Sequence, residues 1–245
     1  EGTGGKTVVS PTASIVNAYE TKQGKTLEEL GPDSAAIYAM EPNYHNNRDP
    51  RMAASIILPG ATYTGVVLKP FENSGLDKLG EQNSTSTGYW INKYLDPKDK
   101  TGTRTLDFMI MRYAEVLLNY VESLIELDDF SNPDVIKYLN EIRNRAGMPN
   151  VNVAEYNTKE KLRELVRRER RVELAFEGVR YYDIRRWGIF EQVMNGPVTG
   201  AIDPNTNQPV NVEVRSAKAN RDYLWPIPQK ELLANPQMTQ NPNNN

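Results

Sequence analysis

Apolar residues recur every three or four positions through the middle of the chain, and this period limits the possible fold more than any other feature. The clearest stripe lies in residues 109–126 and consists of Ile110, Ala114, Leu117, Val121 and Leu124. Residues at this spacing share one face of an α-helix, so the pattern predicts an amphipathic helix whose apolar face packs in a core.

A second helix is predicted directly after the first. Asn132 can cap its start, Pro133 suits its first position, and Asp134 complements the helix dipole. Gly147, just before Pro149, is expected to end it. Its apolar stripe is Val135, Leu139, Ile142 and Ala146. Two such helices joined by a short polar turn form an antiparallel helical hairpin.

A third predicted helix contains the densest run of charge in the chain, RRERRVELAFEGVRYYDIRRWG at residues 167–188. We expect it to begin near Thr158 and to extend at least to Glu177. Its apolar stripe is Leu162, Leu165, Val166, Val172, Phe176 and Val179, with Glu169 and Glu173 at the edge of the stripe.

The charged face of this helix contains both signs. From Arg163 to Arg186 there are eight arginines and five carboxylates, and three pairs have helical spacing: Glu164 with Arg168, Arg170 with Glu173, and Glu177 with Arg180. Such acidic partners favour an internal ion network between helices. A phosphate-binding surface is the less favoured alternative, because the net charge of the chain is -3 and nothing favours a nucleic-acid partner.

The sequence outside the helical middle is rich in turn formers. Before it we predict a helix at Thr12–Tyr19, strands at Ala53–Leu58 and Thr64–Lys69, and a long loop over 70–97. The last fifty residues contain too many prolines for a central strand, and we predict an extended strap with one helical turn at Lys230–Leu233.

These segments predict a mainly α fold with helical hairpins, a loop-rich region and a few short strands. We expect one domain over residues 1–245. It would comprise a loop-rich part with short strands at 1–105, a helical core at 106–193, and a loop with the C-terminal strap at 194–245.

The composition argues against metal sites, cofactors and most catalytic arrangements. The chain has no cysteine and one histidine, His45, which we interpret as a plain surface residue. The opening GTGGKT lacks the first glycine of a phosphate loop, and the segment from Asp203 lacks the glycine and glutamate of a calcium loop. We therefore predict no catalytic residue, no metal and no cofactor.

Three aromatic residues in the loop-rich part are the predicted ligand-binding residues: Tyr63, Tyr89 and Trp90. Aromatic rings can stack on the C–H faces of sugars while nearby polar side chains bond the hydroxyls. The alternative for each residue is a small hydrophobic cluster beneath the long loop.

Five segments in fixed order carry a family resemblance. They are NNRDPRM, RYAEVLLNYVESL, LNEIRNRAGMP, ELVRRERRVELAFEGVRYYDIRRWG and YLWPIPQKELLANPQMTQNP. Together they closely resemble the C-terminal region of the SusD/RagB family of Bacteroidetes outer-membrane proteins. The resemblance extends over nearly the whole chain.

The resemblance implies a SusD-like, mainly helical fold with tetratricopeptide-like helix pairs. It implies a non-enzymatic lipoprotein on the outward face of the outer membrane, partnered with a SusC-type TonB-dependent transporter and binding a glycan for import. Family members carry an N-terminal helical half and a lipid-anchored cysteine. This chain shows neither, so we expect it to be a C-terminal portion.

Three functions are open on the sequence. The first is glycan capture for import through the transporter. The second is a peptide- or protein-binding helical scaffold of the same import complex. The third is a glycoside hydrolase that uses two carboxylates, which is least favoured because no pair of acidic residues stands out.

Overall fold

The computed structural model describes residues 9–33, 38, 44–82, 84–96, 107–218 and 221–242. The GTGGKT stretch and the His45 side chain lie outside this description. Within it, the prediction of a mainly α fold with a few short strands is confirmed.

The helices are short except for those in the middle of the chain. They are α1 (Ala13–Ala18), α2 (Leu27–Leu30), a 3₁₀ turn (Tyr44–Asn47), α3 (Pro50–Ser55), α4 (Tyr113–Glu126), α5 (Pro133–Arg145), α6 (Lys159–Glu173), α7 (Arg180–Arg186), α8 (Phe190–Met194) and α9 (Gln229–Ala234). The strands are β1 (Ile56–Ile57), β2 (Thr62–Tyr63), β3 (Val66–Val67), β4 (Trp90–Ile91), β5 (Gly196–Asp203) and β6 (Gln208–Arg215). They form three antiparallel pairs, β1 with β4, β2 with β3, and β5 with β6.

The predicted helical hairpin is α4 and α5, and α4 also packs on α6. Asn132 caps α5 as predicted, because its side-chain oxygen accepts a hydrogen bond from the Asp134 amide at 3.0 Å. The three helices share one core, and most of it comes from the predicted stripes. Its buried members include Leu117, Val121, Val135, Leu139, Ile142, Leu162, Leu165 and Val166.

The start of the first stripe was predicted wrongly. Ile110 lies before α4 and is 90% exposed, so it does not belong to the buried face. Leu118 and Ile125 complete that face instead, and both are fully buried. In the sequence, the spacing of the apolar stripe extends back to Ile110, although α4 begins only at Tyr113.

The third helix ends earlier than predicted. α6 stops at Glu173, and the chain then turns through Phe176 and Gly178, both with positive φ. Gly178 adopts this left-handed backbone without strain, whereas Phe176 does so at a cost. The turn starts a new helix, α7, so the arginine run is divided between two helices.

A second core joins the loop-rich part to α6. It contains Val16 of α1, Met52 of α3 and Val172 of α6, together with Tyr89 and Ala201. These residues come from each of the three predicted parts of the chain. The assignment of residues 1–245 to one domain with three parts stays a prediction.

The predicted strands in the loop-rich part were only partly right. Residues 53–55 of the predicted strand Ala53–Leu58 belong to α3, and Ile56–Ile57 alone pair, with β4. In the predicted strand Thr64–Lys69, Thr64 and Gly65 form the turn between β2 and β3. Both have positive φ, which is the backbone of a type I′ hairpin turn.

The largest error concerns residues 196–215, which were predicted as loop. They form a β-hairpin of two eight-residue strands, β5 and β6, with Asp203 paired to Gln208 across the turn. The sequence does contain a strand signal that the prediction overlooked, because Val210, Val212 and Val214 alternate with polar residues, although almost all of β6 is exposed to solvent. The helical turn predicted beyond it, at Lys230–Leu233, is α9.

The hairpin is fixed to the long loop by a close backbone crossing at Gly200. The amide of Ala201 donates a hydrogen bond to the carbonyl oxygen of Thr87 at 2.7 Å. A Cβ atom at Gly200 would lie 2.1 Å from that same oxygen. Only glycine fits this crossing, because the obstacle is backbone and not a movable side chain.

Candidate functional site

The predicted binding residues lie in and near a loop that is held rigidly at its base. Thr85 donates its hydroxyl hydrogen to the Tyr89 carbonyl oxygen at 2.7 Å, and the amide of Thr87 donates to the Thr85 hydroxyl at 3.1 Å. Trp90 follows in β4, where it pairs with Ile57. These bonds fix the backbone from which Tyr89 and Trp90 extend.

The structure separates the three predicted aromatic residues. Successive side chains of an extended chain point to opposite sides, and Tyr89 is buried with 5% exposure while Trp90 is half-buried. Tyr63, in β2, is also half-buried, and in the described part of the chain no ring contact joins it to Trp90. Trp90 and Tyr63 present partly accessible rings, whereas Tyr89 packs in the core.

A fourth aromatic feature of this region was missed. Tyr94 stacks on Phe108, with ring centroids 5.2 Å apart, and Phe108 is 61% exposed. Tyr94 has φ 67°, an uncommon value for a large residue, and its hydroxyl oxygen is buried without a hydrogen-bond partner among the described residues. Tyr94 lies four residues after Trp90, in the stretch TGYWINKY at residues 87–94. Its contact with Phe108 joins two distant segments, so no pattern in the sequence indicated it.

The arginine run forms an internal ion network, as predicted, and its centre is Glu173. This side chain is buried, with 3% exposure, and pairs with arginines from three other segments. Arg51 of α3 lies 3.0 Å from one carboxylate oxygen, and Arg145 of α5 lies 2.6 Å from the other. Arg112, just before α4, pairs with the same oxygen as Arg145.

Glu169, one turn earlier on α6, extends the network toward the start of the chain. It pairs with Arg51 and, at 3.0 Å, with Arg143 of α5. Arg143 also donates to Glu20 at 2.8 Å, and Glu20 in turn pairs with Arg168 of α6 at 2.9 Å. The carboxylates predicted at the edge of the apolar stripe are therefore inside the protein.

A third group of pairs fixes α7 against α4 and α6. Arg170 of α6 donates to Asp183 of α7 at 2.7 Å, and Arg186 pairs with both Asp183 and Glu122 of α4. Trp187 donates its indole hydrogen to Glu122 at 2.6 Å. Asp183 and Glu122 are both buried.

The partners predicted within the helix were wrong. Among the described residues, none of the pairs Glu164 with Arg168, Arg170 with Glu173, or Glu177 with Arg180 forms an ion pair within 4.0 Å. The buried residues of these predicted pairs instead form ion pairs with residues of other segments. This arrangement connects α3, α4, α5, α6 and α7 by charge-assisted hydrogen bonds.

The network predicts loss of stability in acid. Burial raises the pKa of Glu173 and of Glu122, but hydrogen bonds from Arg112 to Glu173 and from Arg186 to Glu122 outweigh it, so both pKa values lie below the ordinary value. A depressed folded-state pKa stabilises the protein above the unfolded pKa, about 4.3 for glutamate, and this stabilisation is lost as pH falls. We expect the free energy of unfolding to fall steadily as pH drops below about 5.

Urea unfolding at several pH values between neutral and acidic checks this expectation. The variant Glu173→Gln cannot titrate at this position, so its stability should fall less steeply with acid than that of the unchanged protein. Equal slopes for the two proteins would show that Glu173 is not part of the acid response.

The described residues contain no group of acidic or histidine side chains arranged to hold a metal ion. In the same ranges, no helix combines the length and apolar character that are needed to cross a bilayer.

The fold defines the class of protein to which the chain is similar. A SusD-like carbohydrate-binding protein from Bacteroides fragilis has 33% sequence identity and a TM-score of 0.77, over 92% of this chain and 47% of that one. A second SusD-like protein from Bacteroides fragilis has 28% identity and a TM-score of 0.74, over 95% and 46% of the two chains.

Sequence comparison agrees with the fold. SusD-like protein P2 of Formosa agariphila is 37% identical over 140 residues, which are 55% of this chain and 25% of that protein. The model of the SusD family matches residues 1–243, so the chain belongs to the SusD family. The chain spans about half the length of the solved relatives and a smaller share of the curated one.

Proposed function

We propose that this protein is a non-catalytic glycan-binding protein of the cell surface that captures oligosaccharides or polysaccharides for import. Its similarity to the Bacteroides fragilis protein, which is described as carbohydrate binding, carries the proposal. The half-buried rings of Trp90 and Tyr63 at the long loop support it. In such a role the rings would stack on sugar faces, with no bond made or broken.

The proposal includes a partner and a location. The partner is a SusC-type TonB-dependent transporter, and the protein would lie on the outward face of the outer membrane, held by an N-terminal lipid anchor. Membership of the SusD family supports both. Tyr63, Trp90 and the supporting Tyr89 remain the predicted binding residues.

A protein- or peptide-binding scaffold of the same complex is the second proposal, because one surface favours it. Apolar residues before and along α4 are exposed, including Ile110 at 90%, Met111 at 66% and Tyr113 at 64%. Contiguous exposed apolar patches often mark surfaces that bind other proteins. Co-purification with the transporter, together with absence of binding to any glycan, would select this function.

Replacing Trp90 tests the glycan proposal. We expect Trp90→Ala to weaken binding of the best ligand from a glycan array at least about tenfold, because a lost ring contact of this kind is worth about 1.4 kcal/mol. Calorimetry measures the affinity, and thermal unfolding should show a melting temperature close to that of the unchanged protein.

Trp225→Ala is the matched control, since Trp225 is an exposed tryptophan of the strap, outside the long loop. Its affinity should be unchanged. If Trp90→Ala instead lowers the melting temperature and keeps its affinity, then Trp90 is a packing residue. Release of shortened products from a bound oligosaccharide would replace the binding function with hydrolysis.

A further inference from the structure

Four arginines of the run remain outside the ion network described above. Arg185 donates to the backbone carbonyl oxygens of Asp222 and Tyr223, and the other three are Arg167, Arg171 and Arg180. Arg171 and Arg180 have no carboxylate within 4.0 Å among the described residues, and Arg167 has only Glu126, at 3.9 Å. All three are half-buried. Since a buried charge is costly unless it is paired, these arginines differ from their neighbours on the same helices.

The three arginines line one cleft. It lies between α1, the segment around α2, and the helices α6 and α7, and its volume is about 770 Å³. Clefts of roughly 300–1,000 Å³ hold small ligands. Its other lining residues include Ser14, Glu28, Arg168 and Trp187.

Contacts inside the cleft hold the arginines in place. Arg171 donates to the Ser14 hydroxyl at 2.7 Å. The guanidinium carbons of Arg167 and Arg180 lie 4.7 Å and 5.7 Å from the centre of the Trp187 ring. The indole of Trp187 is itself fixed by its hydrogen bond to Glu122. The cations are thus oriented by neutral and aromatic groups, and Glu126 and Asp183 offset the charges of Arg167 and Arg180 only in part.

One polar atom of these arginines lacks a hydrogen-bond acceptor among the described residues. The Nε hydrogen of Arg167 is buried and has no hydrogen-bond partner in the described part of the chain. Glu28, the carboxylate that lines the cleft, is exposed and forms no ion pair with these arginines among the described residues. A buried donor of this kind usually has a partner, which is a protein group, water or a ligand.

The electrostatics of the cleft favour a negative charge. Burial lowers the pKa of Arg171 to about 10, and the nearby charge of Arg180 contributes to the shift. Burial also lowers the pKa of Arg180 and of Arg167. A bound anion would remove the mutual repulsion of these cations.

We propose that this cleft binds the acidic group of a saccharide ligand, a carboxylate or a sulfate, through Arg167, Arg171 and Arg180. The inference rests on the proposed glycan-binding function and narrows its ligand class to acidic glycans. Arginine forks match oxyanions in geometry as well as in charge, so a carboxylate and a sulfate both fit. The cleft is large enough for the sugar that bears the group.

Calorimetry on the whole protein with three probes tests the proposal. The probes are tetragalacturonate, its fully methyl-esterified form, and a tetrasaccharide whose sugars are uncharged apart from added sulfate groups. The methyl ester keeps the sugar and removes the charge. We expect at least one acidic probe to bind at least about tenfold more tightly than the methyl ester. Added salt should reduce this difference. The relative strength of the two acidic probes identifies the preferred group as carboxylate or sulfate.

Two variants and a control locate the binding in the cleft. Arg171→Gln and Arg180→Gln should each weaken the acidic probe at least about tenfold. Lys161→Gln is the matched control, because Lys161 is an exposed cation on the same helix as Arg171 and does not line the cleft. Its affinity should be unchanged, and all three variants should keep their melting temperatures.

The outcomes separate this inference from the proposed function. Affinity for both acidic probes no higher than for the methyl ester, or full affinity in Arg171→Gln and Arg180→Gln, overturns the acidic site. Neutral glycan binding that depends on Trp90 would then still stand. Binding of polyglutamate and of no saccharide overturns the inference as well, because the anion would then belong to a protein.

Discussion

Glu173→Ala is expected to lower the free energy of unfolding by roughly 3–5 kcal/mol, the usual cost of removing one partner of a buried ion pair. The reason is the number of charges that depend on it. Arg51, Arg112 and Arg145 all pair with this carboxylate, and only Arg145 is largely exposed, at 59%. Arg51 and Arg112 would retain other acidic partners but lose their shared one. Urea unfolding at neutral pH measures the change.

Glu164→Ala is the control for this experiment. Glu164 lies on the same helix, is exposed, and has no ion pair within 4.0 Å among the described residues. A surface change of this kind is expected to alter stability by under about 0.5 kcal/mol. Equal effects of Glu164→Ala and Glu173→Ala would mean that the network around Glu173 adds nothing to stability.

Gly200→Ala is expected to lower the free energy of unfolding by roughly 3 kcal/mol, at the upper end of the range for overpacking. The added methyl group would overlap the Thr87 carbonyl oxygen, so the hairpin of β5 and β6 must move away from the long loop. That movement breaks the hydrogen bond from Ala201 to Thr87. Because this loop precedes Trp90, glycan affinity should fall in the same variant.

Thr199→Ala, one position earlier on β5, separates the clash from a general weakening of the strand. Thr199 is half-buried, and we expect its replacement to cost under about 1 kcal/mol. A Gly200→Ala protein as stable as the unchanged one would show that the crossing at Thr87 is wider than described.

The long helices could be predicted because each buries a face of regular period. The stripe of Val135, Leu139 and Ile142 is buried in α5 as the sequence indicated. The end of α6 was not predictable in this way, because Phe176 adopts a positive φ that its residue type does not suggest. The hairpin of β5 and β6 could have been predicted in part, because Val210, Val212 and Val214 of β6 alternate with polar residues, and this pattern was overlooked among the turn formers around it.

The ion network was predictable in kind but not in its pairs. An excess of arginines beside regular carboxylates indicated internal pairing, and Glu169 and Glu173 are indeed buried. Their partners Arg51 and Arg143 come from distant segments, which a single helix pattern cannot show. The same limit applies to the cleft, since the arginines that lack partners could be recognised only after all other pairs were placed.

The buried pairs also bear on how the chain folds. Arg168 bonds to a glutamate 148 positions earlier, and Arg51 to one 118 positions later. Contacts of such long sequence separation are slow to form, because the chain must first close large loops. We therefore expect these pairs to form after the helical hairpin of α4 and α5. Their removal would then speed unfolding more than it slows folding, so their contribution is chiefly to the lifetime of the native state.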